Sequence, residues 1–267
     1  MLLDKNSKSL SEYPIGFFDS GVGGLTVMRE LIQVLPHENV IYFGDTAHLP
    51  YGNKSPSAIV EYSLNSAHFL AAQGCKLILI ACHTACAYAL ESVQAALPIP
   101  VLGVKEVGVR DLKAATKTNR IAVLGTAATI ASAVFQNLLK SYQLFPIACP
   151  LFVPLVEEGF QDHEVSKKIA EHYLLPLKNT GIDALLLGCT HYPLLAPIIQ
   201  EIVGASVQLI EPSRSVAFAT KDLLEKKNLL RQTGMPTYRF CVSDNPEKFR
   251  HLAKIFFPYS VDKVQLV

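Results

Sequence analysis

Two stretches of the chain repeat one pattern: Gly74-Cys-Lys-Leu-Ile-Leu-Ile-Ala-Cys82-His83-Thr84 and Gly181-Ile-Asp-Ala-Leu-Leu-Leu-Gly-Cys189-Thr190-His191. In each, a glycine precedes a cysteine by eight residues across a short apolar run, and threonine and histidine then follow in opposite orders. A continuous apolar run of this length is typical of a buried strand in a parallel sheet. The repeat therefore predicts two similar halves, each with a thiol at the end of one strand.

Apolar runs of strand length alternate with helical patterns along the rest of the chain. Strands are predicted at 15–18, 40–43, 77–80, 101–102, 121–124, 146–148, 185–187 and 207–210, and helices at 25–34, 57–73, 85–96 and 165–177. Residues 15–20 also align with residues 121–126, which extends the repeat beyond the two cysteines. This alternation predicts α/β halves whose parallel sheets are covered by helices on both faces.

The segment from about residue 213 onward has no counterpart in the second half. It contains a helical pattern at 215–226, a strand pattern at 238–242 and a last helical pattern at 246–257. We expect it to return to the first half. The sequence thus predicts two pseudo-symmetric α/β domains, residues 1–106 with 214–267 and residues 107–213, each a mainly parallel sheet flanked by helices. The active site is expected in the cleft between them.

Composition limits the classes of function. Half of the 267 residues are hydrophobic, 18% are charged, and the formal net charge is +1. Scattered charge of this kind does not favour nucleic acid or an anionic membrane as a partner. The first twelve residues lack the apolar core of a secretion signal, and no apolar run reaches the ~18 residues of a membrane span. We predict a soluble cytoplasmic protein whose six cysteines are reduced rather than a disulfide scaffold.

Four polar motifs fall at the predicted carboxyl ends of strands, where open parallel sheets bind their ligands. They are Asp19-Ser20, Pro50-Tyr51-Gly52, Cys82-His83-Thr84 and Cys189-Thr190-His191. The glycine-rich turn 19–24 matches neither a Walker loop nor a dinucleotide fingerprint, so it is either an anion-binding turn or a structural one. A carboxylate at Asp19 could orient a thiol or bind a substrate ammonium group.

The two cysteines are candidates for a pair of acid/base groups. Each precedes a predicted helix, whose N-terminus is expected to lower the thiol pKa and favour a thiolate. An inert core thiol is the alternative for either cysteine alone. His191 could polarise Cys189 or protonate a leaving group, whereas His83 could either bind substrate or pack beneath the loop. Cys82 and Cys86 lack the paired spacings of a four-ligand zinc site, so no metal is expected.

Five ordered blocks carry a resemblance to a known family: residues 18–27, 50–52, 124–126, 152–157 and 187–193. In these blocks, and over residues from about 15 to about 257, the chain resembles the bacterial glutamate racemases of the cofactor-independent aspartate/glutamate racemase superfamily. The resemblance implies racemisation of glutamate by two bases, which supplies D-glutamate for peptidoglycan. It also implies that no metal, pyridoxal phosphate or nucleotide takes part and that the chain forms a homodimer.

The resemblance also implies roles for individual residues. Cys82 and Cys189 correspond to the acid/base pair, Asp19 to a helper of Cys82, and His191 to a helper of Cys189. Glu157 matches an acidic residue near the active site. Substrate-binding positions correspond to Asp19, Ser20, Pro50, Tyr51, Gly52, His83, Thr84, Thr126, Thr190 and His191.

Several positions depart from the family pattern. His83 stands where asparagine is usual, Cys86 where serine is usual, and Lys105 and Val107 where an apolar residue and a proline are usual; the segment 210–213 also lacks the usual aspartate. The change at His83 touches substrate recognition. It keeps two alternatives open: a racemase of another acidic amino acid such as aspartate, or a racemase-like protein that binds a ligand or a partner and turns over poorly.

Overall fold

The computed structural model describes residues 9–267. The strands are β1 (Ile15–Asp19), β2 (Val40–Gly44), β3 (Leu77–Ile80), β4 (Val101–Gly103), β5 (Arg120–Gly125), β6 (Gln143–Ala148), β7 (Ala184–Gly188), β8 (Gln208–Ile210), β9 (Tyr238–Val242) and β10 (Val264–Leu266). The α-helices are α1 (Leu25–Val34), α2 (Pro56–Ala72), α3 (His83–Ala96), α4 (Val104–Ala115), α5 (Ala127–Ala131), α6 (Val134–Leu138), α7 (Phe152–Glu157), α8 (Glu164–Leu174), α9 (Ala196–Val203), α10 (Ser213–Lys226) and α11 (Pro246–Phe256). Short 3₁₀ helices lie at Leu10–Glu12, Tyr51–Asn53, Leu175–Leu177 and Tyr192–Leu195.

The strands form two sheets, and every strand pairing among residues 9–267 is parallel. One sheet has the order β10-β9-β2-β1-β3-β4 and the other has the order β6-β5-β7-β8. We call the parts built on them the first half and the second half. The order β2-β1-β3-β4 within the first sheet repeats the order of the whole second sheet, so the predicted α/β fold class with a duplicated parallel arrangement is confirmed.

Apolar sequence explains why the strands lie at the centre of each half. Strands β1, β2, β3 and β7 are buried along their whole length. Helix α1 packs against α10, and α2 packs against α3. One large apolar cluster spans both halves, and a smaller one that includes Leu112 and Leu186 joins α4 to the second sheet. Each such aliphatic side chain contributes about 1.5–3 kcal/mol when it is fully buried.

Some predicted boundaries differ from the structure. The helical pattern 165–177 ends as an α-helix at Leu174 and continues as a 3₁₀ turn, because Pro176 has no N–H for an α-helical hydrogen bond. Strand β10 was not predicted; its mostly exposed residues lack the buried pattern of the other strands. The C-terminal segment contributes β9 and β10 to the first sheet, as expected.

The domain boundaries at 106/107 and 213/214 stay a prediction, because α4 spans the first of them and α10 begins at the second. Residues 1–8 of the predicted first domain lie outside the described residues. Within residues 9–267, no helix is both long enough and apolar enough to cross a membrane.

Candidate active site

A small cavity lies where the carboxyl ends of the strands of both halves meet. Its volume is about 30 Å³, which is close to the share of liquid volume of one water molecule. We call it the cysteine cavity, and its lining is Ser20, Gly21, Leu49, Pro50, Tyr51, Gly52, Cys82, His83, Thr84, Thr126, Val153, Glu157, Cys189, Thr190 and His191. All four predicted motifs contribute to this lining, but Asp19 does not.

Cys82 follows β3 and is the N-cap residue of α3. Its Sγ accepts the Ala85 backbone N–H at 3.5 Å and lies 3.5 Å from the Ser20 hydroxyl. Burial raises the pKa of the Cys82 thiol to about 11, and the nearby charge of Asp19 adds to the rise. The hydrogen bonds from Ser20 and Ala85 oppose this rise without overcoming it. The thiol is therefore protonated near neutral pH.

Cys189 follows β7, at the corresponding place in the second half. A 3₁₀ turn comes next, and the Tyr192 N–H donates to the Cys189 carbonyl oxygen at 3.2 Å. The Cys189 Sγ lies 4.0 Å from His191 Nδ1. Burial raises the pKa of the Cys189 thiol, and the backbone N–H of His191 opposes the rise only in part. The expectation that helix N-termini lower both thiol pKa values is wrong, because desolvation outweighs the few N–H groups that reach each sulfur.

His191 lies between Cys189 and Glu157, since its Nε2 is 3.0 Å from Glu157 Oε1. Glu157 is the last residue of α7, and its carboxylate fixes the orientation of the imidazole ring. The ring also meets the ring of Phe256 edge-on, with centroids 5.0 Å apart. Gly23 leaves room for the His191 ring, because a Cβ at position 23 would lie 2.4 Å from that ring.

Asp19 is the last residue of β1 and is buried beneath the glycine-rich turn. Its Oδ2 accepts the Gly21 N–H at 3.0 Å, while its Oδ1 has no hydrogen-bond partner among residues 9–267. Burial raises the pKa of this carboxyl group above its ordinary value, although the charge of His191 opposes the rise. Ser20, rather than Asp19, makes the contact with Cys82.

His83 is the first residue of α3 and is buried in the lining. Neither of its ring nitrogens has a hydrogen-bond partner within residues 9–267. Burial lowers the pKa of His83 to about 4, so the ring is neutral near neutral pH and offers one N–H donor and one acceptor nitrogen. An unsatisfied buried polar group costs about 1–3 kcal/mol, which makes this ring ready to bind a polar ligand.

Three threonine hydroxyls form a closed triangle between the halves. Thr84 of the first half and Thr126 and Thr129 of the second half lie 2.9 Å from each other, oxygen to oxygen. Three hydroxyls have three hydrogens, so the triangle uses every donor that it contains. A substrate carboxylate that accepts a hydrogen bond from the Thr84 or Thr126 hydroxyl therefore replaces one side of the triangle. Thr190 stands apart from it, with Oγ1 3.4 Å from His191 Nδ1.

The Pro50-Tyr51-Gly52 motif reaches the cavity from the loop after β2. The Tyr51 hydroxyl is turned towards Asp45, to which it donates at 2.6 Å. Gly52 faces the second half, where a Cβ would lie 2.7 Å from the Cβ of Thr126. Sequence reasoning missed Asp45 and Thr129. Asp45 directly follows β2, so the rule that selected polar residues at strand ends could have found it.

Comparisons with known proteins identify the family of this chain. The sequence profile of the family described as Asp/Glu/Hydantoin racemase matches residues 15–219. A glutamate racemase of Syntrophus aciditrophicus (strain SB) is 44% identical over 272 residues, which cover 99% of this chain and 100% of that relative. A glutamate racemase of Geobacter metallireducens is 46% identical over 247 residues, covering 91% of this chain and 92% of the relative.

A similar solved structure is the crystal structure of glutamate racemase from Francisella tularensis subsp. tularensis SCHU S4 in complex with D-glutamate. It matches with a TM-score of 0.90 and 38% identity, covering 96% of this chain and 98% of that one. The profile spans most of the sequence, and these relatives align over nearly all of it. The chain therefore belongs to the Asp/Glu/Hydantoin racemase family of enzymes.

Proposed function

We propose that this chain interconverts L- and D-glutamate with two cysteines and no cofactor. The observation that carries the proposal is that Cys82 and Cys189, from the two halves, line one enclosed cavity. Inverting a carbon centre requires access to both of its faces, and thiols from opposite halves offer this access. Membership of the family and the relatives named glutamate racemase support glutamate as the substrate.

In the proposed reaction, a thiolate removes the α-proton from one face, and the other thiol then delivers its proton to the opposite face. The carbon keeps its four substituents, and the negative charge passes from one sulfur to the other. The reverse reaction then starts from the state in which the forward reaction ends. Backbone N–H groups and hydroxyls around the substrate carboxylate stabilise the carbanion that forms between the two steps.

The raised thiol pKa values set a condition on this reaction. Because burial favours protonated Cys82 and Cys189, the first thiolate forms when its proton passes to a neighbouring base, as His191 Nδ1 offers Cys189 at 4.0 Å, and positive charge in the cavity favours this transfer. The substrate ammonium group brings a positive charge next to the α-carbon, while the hydroxyls and backbone N–H groups of the site offset the negative charge of its two carboxylates. His191, oriented by Glu157, assists Cys189, and the hydrogen bond with Ser20 favours the Cys82 thiolate, whereas the negative charge of Asp19 opposes it. Enclosure then excludes water and strengthens each of these interactions.

The cavity lining supports a set of substrate-binding residues. It comprises Ser20, Pro50, Tyr51, Gly52, His83, Thr84, Thr126, Thr190 and His191, with Asp19 beneath them. Within this set, His83 contributes a donor and an acceptor that have no other partner among residues 9–267, and the threonine triangle contributes hydroxyls. We assign the D-glutamate product to peptidoglycan synthesis. The six free, buried cysteines support a reducing compartment such as the cytoplasm.

Solvent isotope labelling tests this proposal. Purified protein in D₂O is given L-glutamate or D-glutamate, and both enantiomers are followed by chiral separation and mass spectrometry. Early product should carry one deuterium and early residual substrate should carry none, because each thiol handles one face. Parallel tubes with aspartate test the other acidic substrate. Absence of inversion and exchange with glutamate would overturn the proposal.

A further inference from the structure

Asp45 lies just outside the cysteine cavity, at the carboxyl ends of the strands in the sheet that contains Asp19. It is the first residue after β2, and β2 pairs with β1 so that Gly44 lies opposite Asp19. The Asp45 N–H donates to the Asp19 carbonyl oxygen at 3.0 Å, and its side chain is buried. A buried carboxylate at this edge is therefore fixed relative to the strand that leads into the glycine-rich turn.

Three donors meet at the Asp45 carboxylate. The Tyr51 hydroxyl donates to Oδ2 at 2.6 Å and the Ser243 hydroxyl donates to Oδ1 at 2.7 Å. His48 Nδ1 lies 2.8 Å from Oδ1 and 2.9 Å from Oδ2. A hydrogen bond to a charged group is stronger than one between neutral groups. The carboxylate therefore holds these three side chains more firmly than a neutral acceptor would.

Tyr51 carries the effect of Asp45 to the cavity. Its buried ring packs against Phe18 and Tyr62, with centroids 6.2 Å and 6.0 Å apart. The next residue, Gly52, lies so close to the second half that a Cβ would be 2.7 Å from the Cβ of Thr126. A shift of Tyr51 therefore moves the backbone of Gly52 within the cavity lining.

Ser243 ties the same loop to a distant part of the chain. It follows β9, its backbone N–H donates to the Gly44 carbonyl at 3.2 Å, and its hydroxyl accepts the Ala47 N–H at 2.9 Å. Next to it, the Asp244 N–H donates to the Thr46 hydroxyl oxygen at 2.8 Å. Ser243 does not line the cavity, so its influence on the site passes through Asp45 and the loop.

We propose that Asp45, itself held by Ser243, is a positioning residue that places the Pro50-Tyr51-Gly52 loop for substrate binding. The inference rests on the proposed function, in which that loop binds glutamate. Contacts with the loop act equally on the bound substrate and on the transition state. Their loss therefore raises KM and leaves kcat nearly unchanged.

The experiment compares Ser243→Ala and Asp45→Asn with the parent chain. We expect KM for glutamate to rise about threefold in Ser243→Ala and about tenfold in Asp45→Asn, the latter equal to the loss of one charged hydrogen bond. In both variants kcat stays within about twofold. Amide hydrogen exchange across residues 46–53 should become faster, because the loop loses an anchor. Ser243→Ala leaves the buried carboxylate in place and keeps the test open should Asp45→Asn fold poorly.

Glu38→Gln is the matched control, a buried carboxylate at the opposite end of the same sheet. Glu38 accepts from Lys76 Nζ at 2.5 Å and from the Arg231 N–H at 2.8 Å. The Glu38→Gln variant should have a lower unfolding temperature, but its KM for glutamate and the amide hydrogen exchange of its residues 46–53 should be unchanged. If Ser243→Ala and Asp45→Asn behave like this control, the positioning role is wrong. The exchange measurement needs no turnover, so an inactive parent would count against the proposed function alone.

Discussion

Cys82 and Cys189 follow equivalent strands of the two halves, but their surroundings differ. Both follow a central strand, and both combine cysteine, threonine and histidine. At residues 82–84 the histidine comes first, starts α3, and has no partner on either ring nitrogen in the described part of the chain. At residues 189–191 the histidine comes last and lies between a sulfur atom and Glu157.

This difference shows what a duplicated scaffold determines and what it leaves to local sequence. The repeated strand places each sulfur atom at the same edge of its sheet. The order of the next two residues then decides whether the imidazole reaches the thiol or faces the cavity alone. Two thiols at equivalent positions thus acquire different partners, Ser20 for Cys82 and His191 for Cys189.

Replacing either sulfur tests whether both ends are needed. Cys82→Ser and Cys189→Ser should each lower the rate of glutamate racemisation by about 10³-fold, because a serine hydroxyl does not ionise to act as the base. The rate is measured by chiral chromatography of the product. Cys86→Ser is the control, since Cys86 lies in α3 outside the lining and should keep its activity. Full activity in either of the first two variants would refute the paired-thiol mechanism.

The loss of stability at acidic pH tests whether burial keeps His83 neutral in the folded chain. Burial lowers the pKa of His83 to about 4, whereas a histidine in an unfolded chain titrates near ~6.5. Below that pH the unfolded chain binds a proton that the folded chain excludes. The stability present at neutral pH is therefore lost as the pH falls from ~6.5 towards 4, by up to about 3 kcal/mol.

His83→Asn should remove most of this loss, because asparagine does not titrate. The free energy of unfolding in urea is measured at pH 7 and at pH 4.5 for the parent and for His83→Asn. The parent should lose more stability between these two conditions than the variant does. Equal losses would show that His83 does not resist protonation in the folded chain.

A substitution of Glu157 tests the role of the negative charge beside His191, and its expected effect is smaller. Glu157→Gln keeps a hydrogen-bond acceptor near His191 Nε2 but removes the negative charge. We expect kcat to fall about tenfold, the equivalent of ~1.4 kcal/mol, because a neutral partner stabilises the imidazolium form less. Glu158→Gln, at the exposed neighbouring position, should leave kcat at the parental value. An equal kcat in both variants would contradict a role for the Glu157 carboxylate.

Much of the fold was predictable because its strands are short, apolar and separated by helical patterns. Strand β10 escaped because exposure leaves no apolar run in its sequence. At the site, motifs located the cysteines, the histidines and most of the threonines. They missed Asp45, which acts on Tyr51 from outside the lining, and Thr129, which follows Thr126 by a turn of helix. The direction of the thiol pKa shifts was also missed, because a sequence shows a helix N-terminus but not the depth of burial.

The connection between β2 and β9 has a consequence for biosynthesis. Strand β2 pairs with β9, although the two strands are far apart in the sequence. The strands of the second sheet all come from the continuous stretch from Arg120 to Ile210. During vectorial translation the second sheet can assemble early, while the first awaits the final segment to emerge from the ribosome. Cys82 and Cys189 are thus made before Ser243, so the loop that Ser243 anchors reaches its final position only after the segment that carries β9 has folded back.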